Sequence, residues 1–504
     1  MTRRWSWLLL VGMLTALGCG GSPASPAPGH DSGALDAARD GAATADAGPD
    51  AADAAPAPDA RTDAAVATDA RADAPAATDA PATTDAPVAT DARADAATAT
   101  DSAAGADATA DATPAAWDGG PAAAVVTLAA GGAHTCDLAA AGATKCWGSS
   151  TAGQLGAAAP ETCTYLSTPC ARTPITVSSL ADAAQLAGGG THTCAIVTGG
   201  AVRCWGSNAA GQLGLGTTTN HTIPVAVPGL AGIAQLGAGQ YHTCALLGDG
   251  TARCWGLNSA GQLGGSTTGT CTVSGTARDC GTSPITVAGL AGARELALGS
   301  GHTCARLGDG TVACWGSNYY GQLGDGSAGT RSTPGLVPGL AAVVQLAAGA
   351  LHTCALLADG TARCWGLNTL GGLGDGTTTE RDAPTPVSGL TGAAQLAAGA
   401  YHTCARLADG TARCWGSNID GILGATSSSH CIDGTGTSQP CALTPLTVTG
   451  LAGALHVTTG YYHTCALLAA GEVDCWGSTN EGQVGRGVVA YGWSATPMAV
   501  TGLP

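Results

Sequence analysis

An all-β fold, a seven-bladed β-propeller behind a disordered N-terminal stalk, is what this sequence predicts, and three observations carry it. Residues 122–504 repeat one unit of 50–61 residues seven times. Within each unit, short runs of alternating small and apolar residues are separated by turn residues, the pattern of strands. The chain has 78 Gly, no Phe and a single Lys, Lys145, so it lacks the large side chains that a helical core needs. Units of about four short strands cannot bury their own faces, and seven of them close radially better than they stack.

The N-terminus comes first. Arg3 and Arg4 precede the apolar run Trp7 to Leu17, too short to span a bilayer, which needs ~20 apolar residues, and ordered like an export signal. The run ends Ala16-Leu17-Gly18-Cys19, which resembles a bacterial lipobox. Residues 1–18 are therefore expected to be a lipoprotein-type signal peptide, and Cys19 the site of lipidation. Ala16 stands where Leu is usual, and Gly20 after the Cys resembles lipoproteins sent to the outer membrane. Acyl chains at ~0.8 kcal/mol per buried CH₂ anchor durably when more than one is attached.

Residues 19–121 follow as the stalk. They cycle through Ala, Asp, Thr and Pro, and residues 20–121 hold 18 Asp against four Arg (Arg39, Arg61, Arg71, Arg93). Nothing there can form a core, and like charges keep the segment extended. Its r.m.s. reach is on the order of 55 Å for a flexible coil. Residues 122–504 carry 18 acidic and 13 basic side chains. No basic surface remains for a polyanion, so nucleic acid is excluded as a partner.

The seven units start near residues 124, 182, 232, 292, 342, 392 and 453. Each contains His-Thr-Cys (at His134, His192, His242, His302, His352, His402 and His463), then Cys-Trp-Gly, then a Gly-Gln-Leu-Gly-like stretch and a Pro-x-x-Val-like run. In unit five, Ala358-Asp359-Gly360 joins His352–Leu357 to Thr361–Trp365. A three-residue loop with Gly360 in the left-handed position sets Leu357 opposite Thr361 and Cys354 opposite Cys364. That is a non-hydrogen-bonded pair, with Cα atoms ~4.5 Å apart, inside the disulfide range of ~4.4–6.8 Å. The same arithmetic pairs Cys136 with Cys146, Cys194 with Cys204, Cys244 with Cys254, Cys304 with Cys314, Cys404 with Cys414 and Cys465 with Cys475.

Three units are longer, and each insertion brings two more cysteines: Cys163 with Cys170, Cys271 with Cys280, Cys431 with Cys441. Twenty of the 21 cysteines are thus paired, which implies an oxidising compartment, and the one left over is Cys19. Facing pairs without a Cys-x-x-Cys spacing argue against a metal. Closing an 11-residue loop contributes roughly 2–3 kcal/mol in the chain-entropy model, which offsets the scarcity of large core residues.

The series Gly-x-x-His-Thr-x-Ala-Leu, Asp-Gly, Trp-Gly-x-Asn, Gly-Gln-Leu-Gly, seen in Gly239 to Leu263 and repeated over residues 124–504, resembles the repeats of the regulator of chromosome condensation family. The resemblance implies a seven-bladed propeller and protein interaction, as a scaffold or as an exchange factor for a Ran-type GTPase. The Cys before each Trp departs from cytoplasmic and nuclear members and looks like an exported bacterial branch. An exported protein meets no such GTPase, and no exchange-competent segment can be matched.

The repeated His and Trp (Trp147, Trp205, Trp255, Trp315, Trp365, Trp415, Trp476) solve a packing problem common to every blade rather than a catalytic one. His would satisfy backbone groups and Trp would fill the space between blades. Asp249, Asp309, Asp359 and Asp409 are turn residues. Asp325-Gly326 and Asp375-Gly376 lack the dense oxygen series of a calcium loop. No hydrolase elbow, zinc pair or phosphate loop is present. No cofactor is called for, and His30, His221, His430 and His456 are too scattered to propose a base.

Binding is expected on the loops that differ between units. The insertions 157–174, 265–284 and 425–445 all precede the last strand of a unit and emerge on one face, with Tyr165, Tyr491 and Trp493 as the candidate contacts. The reading is a lipid-anchored cell-envelope propeller, on the outer membrane and facing the periplasm or the exterior. It would bind an unknown protein or a surface glycan and is not an enzyme. The alternative is a glycan-active hydrolase or lyase using the funnel, with Glu295, Glu380, Asp382 and Asp420 as the carboxylates unique to single units.

Overall fold

The computed structural model describes residues 125–163, 167–487 and 492–503; Cys19, Tyr165, Tyr491 and the segments 1–18 and 19–121 lie outside them. The described chain forms seven antiparallel sheets, three of five strands and four of four. In blade 1 the strands are β1 (Val125–Ala130), β2 (His134–Ala139), β3 (Thr144–Ser149), β4 (Glu161–Cys163) and β5 (Thr168–Thr176), in the order β1-β2-β3-β5-β4. The other blades span residues 183–226, 233–286, 293–336, 343–386, 393–447 and 454–499. The first strand of every blade lines a central channel of about 310 Å³, so each blade runs from hub to rim.

All strands of a blade are consecutive in sequence, and among the described residues no unit lends a strand to another. The ring is closed by contacts between blades 7 and 1. The Tyr461 N–H donates to the Gly132 carbonyl at 3.1 Å, and the Trp147 indole N–H to the Gln483 carbonyl at 2.9 Å.

The core lies between blades. Each repeated Trp is fully buried at the seam between its own blade and the preceding one; Trp365 of blade 5 packs with Leu323, Val337 and Leu340 from blade 4 and its connection and with Val343 and Leu346 from blade 5's first strand. The Trp explains the second glycine of Gly-Gln-Leu-Gly. A Cβ on Gly324 would stand 2.6 Å from Trp365 Nε1, and its φ of +72° already favours glycine.

Strand register follows the turn chemistry. The Leu357 N–H bonds to the Thr361 carbonyl at 2.9 Å, Gly360 has φ +76°, and Cys354 stands opposite Cys364. Cys354 and Cys364 are joined with Cα atoms 4.1 Å apart, as are the facing cysteines of the other six hairpins. The insertions form hairpins rather than open loops. In blade 3, Gly269–Val273 pairs with the first half of Thr276–Thr286, and Cys271–Cys280 links them diagonally, since Cys271 stands opposite Arg278. Blades 1 and 6 repeat this with Cys163–Cys170 and Cys431–Cys441.

Two faces result. The turn face carries the Asp-Gly hairpins and the connections between blades. The loop face carries the Gly-x-x-His loops, the Gly-Gln-Leu-Gly loops and the three stapled hairpins, because His134 stands opposite Gly148 at the end where those loops begin.

Candidate functional site

The seven histidines join neighbouring blades. His134 Nε2 lies 2.9 Å from the Thr193 hydroxyl of the next blade, and the same bond links His192 to Thr243, His242 to Thr303, His302 to Thr353, His352 to Thr403, His402 to Thr464 and His463 to Thr135. Each Thr donates its one hydroxyl proton to the carbonyl at the Gln position of the preceding blade, as Thr353 does to Gln322 at 2.9 Å. The imidazole Nε2 must therefore be the protonated nitrogen. The same carbonyl accepts the Trp indole N–H, 2.9 Å from Trp365 to Gln322. The partner of each His is thus a neighbouring hydroxyl rather than the backbone groups expected from sequence.

Burial holds these imidazoles neutral: His134 and His352 fall to about 4 and His192, His242, His302, His402 and His463 to about 3. They serve as struts, out of reach of a substrate. The glycine three residues earlier makes room for each ring, since a Cβ on Gly349 would meet His352 Cε1 at 2.3 Å.

The carboxylates unique to single units lie in three separate places. Glu295 faces the channel, bonded to the Arg306 Nε at 3.0 Å and the Leu346 N–H at 3.2 Å. Asp420 sits in the loop after the third strand of blade 6, and Glu380 and Asp382 flank the start of blade 5's rim strand, Arg381–Pro386. Asp325 and Asp375, at the weak calcium signals, are ion-paired with Arg331 at 2.9 Å and Arg381 at 2.8 Å. Among the described residues no His, Cys, Asp and Glu cluster could hold a metal.

What the loop face gathers is tyrosine. Tyr241, Tyr401, Tyr461 and Tyr462 sit in the loops before His-Thr-Cys, and Tyr319 and Tyr320 in the loop after Cys-Trp-Gly of blade 4. All six described tyrosines are on this face. Tyr461 lies over Gly132 and, with Gln240 and Ser300, lines the glycine-ringed mouth of the channel, a cavity of about 160 Å³. Burial raises the pKa of Tyr401, and neighbouring Tyr462, Tyr320 and Asp433 raise it further; burial and Asp420 do the same to Tyr462. Asp420 and Glu481 are themselves raised by burial, despite bonds to Ser478 and Ser149.

Tyr401 also packs with Leu370, Ile419, Leu443 and the Cys431–Cys441 staple. Blades 4 to 7 thus form an aromatic, acidic crescent, whereas the matching loop positions of blades 1 and 2 hold Ala133, Ala152, Thr191 and Ala210. Trp493 is 61% exposed at the loop-face end of blade 7's rim strand, opposite Ser478. The crescent is not evident in the sequence, although every tyrosine in it lies in one of two loops that share an end of the blade.

The chain matches the family model described as RCC1-like domain over residues 99–435, and that of the regulator of chromosome condensation (RCC1) repeat over residues 455–483. Among solved structures it is similar to yeast RCC1 (Prp20) bound to Kap60, at 20% identity and a TM-score of 0.60, covering 75% of this chain and 85% of that one. It is similar to Prp20p from Saccharomyces cerevisiae, described with its binding to Gsp1p and histones, at 21% identity, TM-score 0.59 and coverage of 73% and 86%. Human WBSCR16 is similar at 22% identity and TM-score 0.59, with 70% and 92% covered. These likenesses show a shared fold.

Proposed function

Because this chain belongs to the RCC1-like domain family, whose propellers present loops on a rigid ring, we propose that it is a protein-binding scaffold of the bacterial cell envelope. It is held to the outer membrane through lipidated Cys19 and works through its loop face. The observation that carries the reading is the collection of all six described tyrosines and all three stapled hairpins on one face. Tyrosine offers a large amphipathic contact area at low entropy cost, and a hairpin closed by a disulfide loses little freedom on binding. Residues 122–504 carry 18 acidic and 13 basic side chains, an excess that disfavours polyanions. That a solved yeast protein of similar fold is bound to another protein, Kap60, is consistent with this reading.

The anchor is tested by metabolic labelling with an alkyne fatty acid: label on the wild type and none on Cys19→Ser supports it, and equal label refutes it. The binding face is tested by crosslinking in intact cells, comparing Tyr401→Ala/Tyr462→Ala with the turn-face variant Arg253→Ala. Protein adducts lost only with the tyrosine pair support the reading. Adducts indifferent to the tyrosines refute it, and loss of binding to purified surface glycan in place of protein moves the reading to the glycan.

A further inference from the structure

We propose that Arg406, in the seam between blades 6 and 7 behind the channel wall, binds a small carboxylate, the ligand that blade 4 supplies to the equivalent arginine from its own chain.

The comparison between blades is internal to the molecule. In blade 4, Arg306 stands opposite Glu295 in register; the arginine Nε donates to Glu295 Oε2 at 3.0 Å and the Leu346 N–H of blade 5 to Glu295 Oε1 at 3.2 Å. One carboxylate thus satisfies both the guanidinium and the neighbouring backbone. In blade 6, Arg406 occupies the same register position, but Gln395 stands opposite it. Gln395 turns its amide to blade 7, accepting from the Val457 N–H at 2.9 Å and donating to the Val457 carbonyl at 3.1 Å.

Arg406 is left with a bond from Nη1 to the Leu407 carbonyl at 3.3 Å, and its Nε is buried with no partner. That is the atom which in Arg306 holds the carboxylate. No acidic residue among the described residues pairs with it. Arg406 itself is only half-buried, but its Nε is a buried donor with nothing to bond, and a buried donor left unpaired carries a desolvation cost that a carboxylate oxygen would remove.

A second polar atom in the same seam also lacks a partner. Where blades 2, 3, 5 and 6 have Gln, blade 7 has His456, and its Nδ1 is buried and unbonded. His456 and Gln395, which flank the seam, both line the channel. Desolvation lowers the arginine pKa, as expected of a cation without its partner.

The experiment follows the unfolding temperature of the full, oxidised chain in sodium acetate and in sodium chloride at equal ionic strength. Bound acetate stabilises by mass action, so the wild-type midpoint should rise with the logarithm of acetate concentration and not with chloride. Gln395→Glu rebuilds the blade-4 arrangement: it should raise the midpoint in chloride by about 1–3 °C, the order expected of a new buried pair, and abolish the response to acetate. Arg406→Leu should also lose the response while remaining folded, since it removes an unpaired charge. The proposal is overturned if acetate and chloride act alike on the wild type, if Arg406→Leu keeps the acetate response, or if Gln395→Glu lowers the midpoint.

Discussion

Replacing Thr353 by Val tests the inter-blade struts at the place where three donors and acceptors converge. The Thr353 hydroxyl accepts from His302 Nε2 at 3.0 Å and donates to the Gln322 carbonyl at 2.9 Å. Valine keeps the shape and makes neither bond. The Gln322 carbonyl retains the Trp365 indole N–H, so it loses one of two donors, whereas His302 Nε2 loses its partner. An orphaned buried donor costs about 1–3 kcal/mol and a lost hydrogen bond about 1, so the change should destabilise by about 2–4 kcal/mol.

At about 2.1 cal/mol/K of unfolding entropy per residue, a cooperative unit the size of this propeller should melt about 3–5 °C lower. Urea unfolding followed by fluorescence reads it, since the seven buried tryptophans change environment together. Exposed Thr378→Val is the control. Pairing Thr353→Val with His302→Phe should cost less than the two changes separately, because the orphan is then removed. A Thr353→Val variant within about 0.5 kcal/mol of the wild type, the range of ordinary surface changes, would refute the strut.

Three further expectations rest on the same geometry. The struts' histidines have folded pKa values of about 3–4 against 6.5 unfolded, so the unfolded chain binds more protons and stability should fall as pH drops from 6.5 toward 3. Buried Asp137, raised to about 7, works the other way over the same range, as do Glu295, Asp420, Asp474 and Glu481, which burial also raises; with His456 the lowered imidazoles number eight among the described residues and outweigh them, and a urea midpoint flat from pH 7 to 4 contradicts the assignment. Alkylation of the urea-unfolded chain without reductant should add no mass at residues 125–503, and several labelled cysteines would break the ten pairs. Gly349→Ala forces a Cβ to 2.3 Å from His352 Cε1 and 2.5 Å from the Gly399 carbonyl, so it should destabilise markedly, while Gly329→Ala, with open space around it, should stay within about 0.5 kcal/mol; equal midpoints would contradict the packing.

The hairpin arithmetic was legible because it is local. Gly360 fixes the turn, the turn fixes the register, and period two then puts Cys354 opposite Cys364. The His-Thr struts were not legible, since the repeat shows that each blade needs the two residues but not that they meet between different blades, across 51–62 positions in six seams and 328 at ring closure. The insertions are legible as stapled loops, but the extra strands in them follow from pairing with a rim strand that local sequence does not reveal. The Tyr401–Tyr462 crescent escaped notice for a similar reason: its members come from separate repeats, and only ring closure brings blades 4 to 7 into one surface.

The confinement of every blade to one continuous stretch of chain also bears on how such a ring can be re-cut. Since among the described residues no strand is traded between units, the ring can be opened in the connection between any two blades and blade 7 joined to blade 1 without rerouting a sheet. The old seam between blades 7 and 1, already held by the His463–Thr135 and Trp147–Gln483 bonds, becomes one internal joint among seven. Circular permutation and the gain or loss of a whole unit are therefore the genetic changes this architecture tolerates by construction, while a cut between the second and third strands of a blade opens its disulfide-tied hairpin.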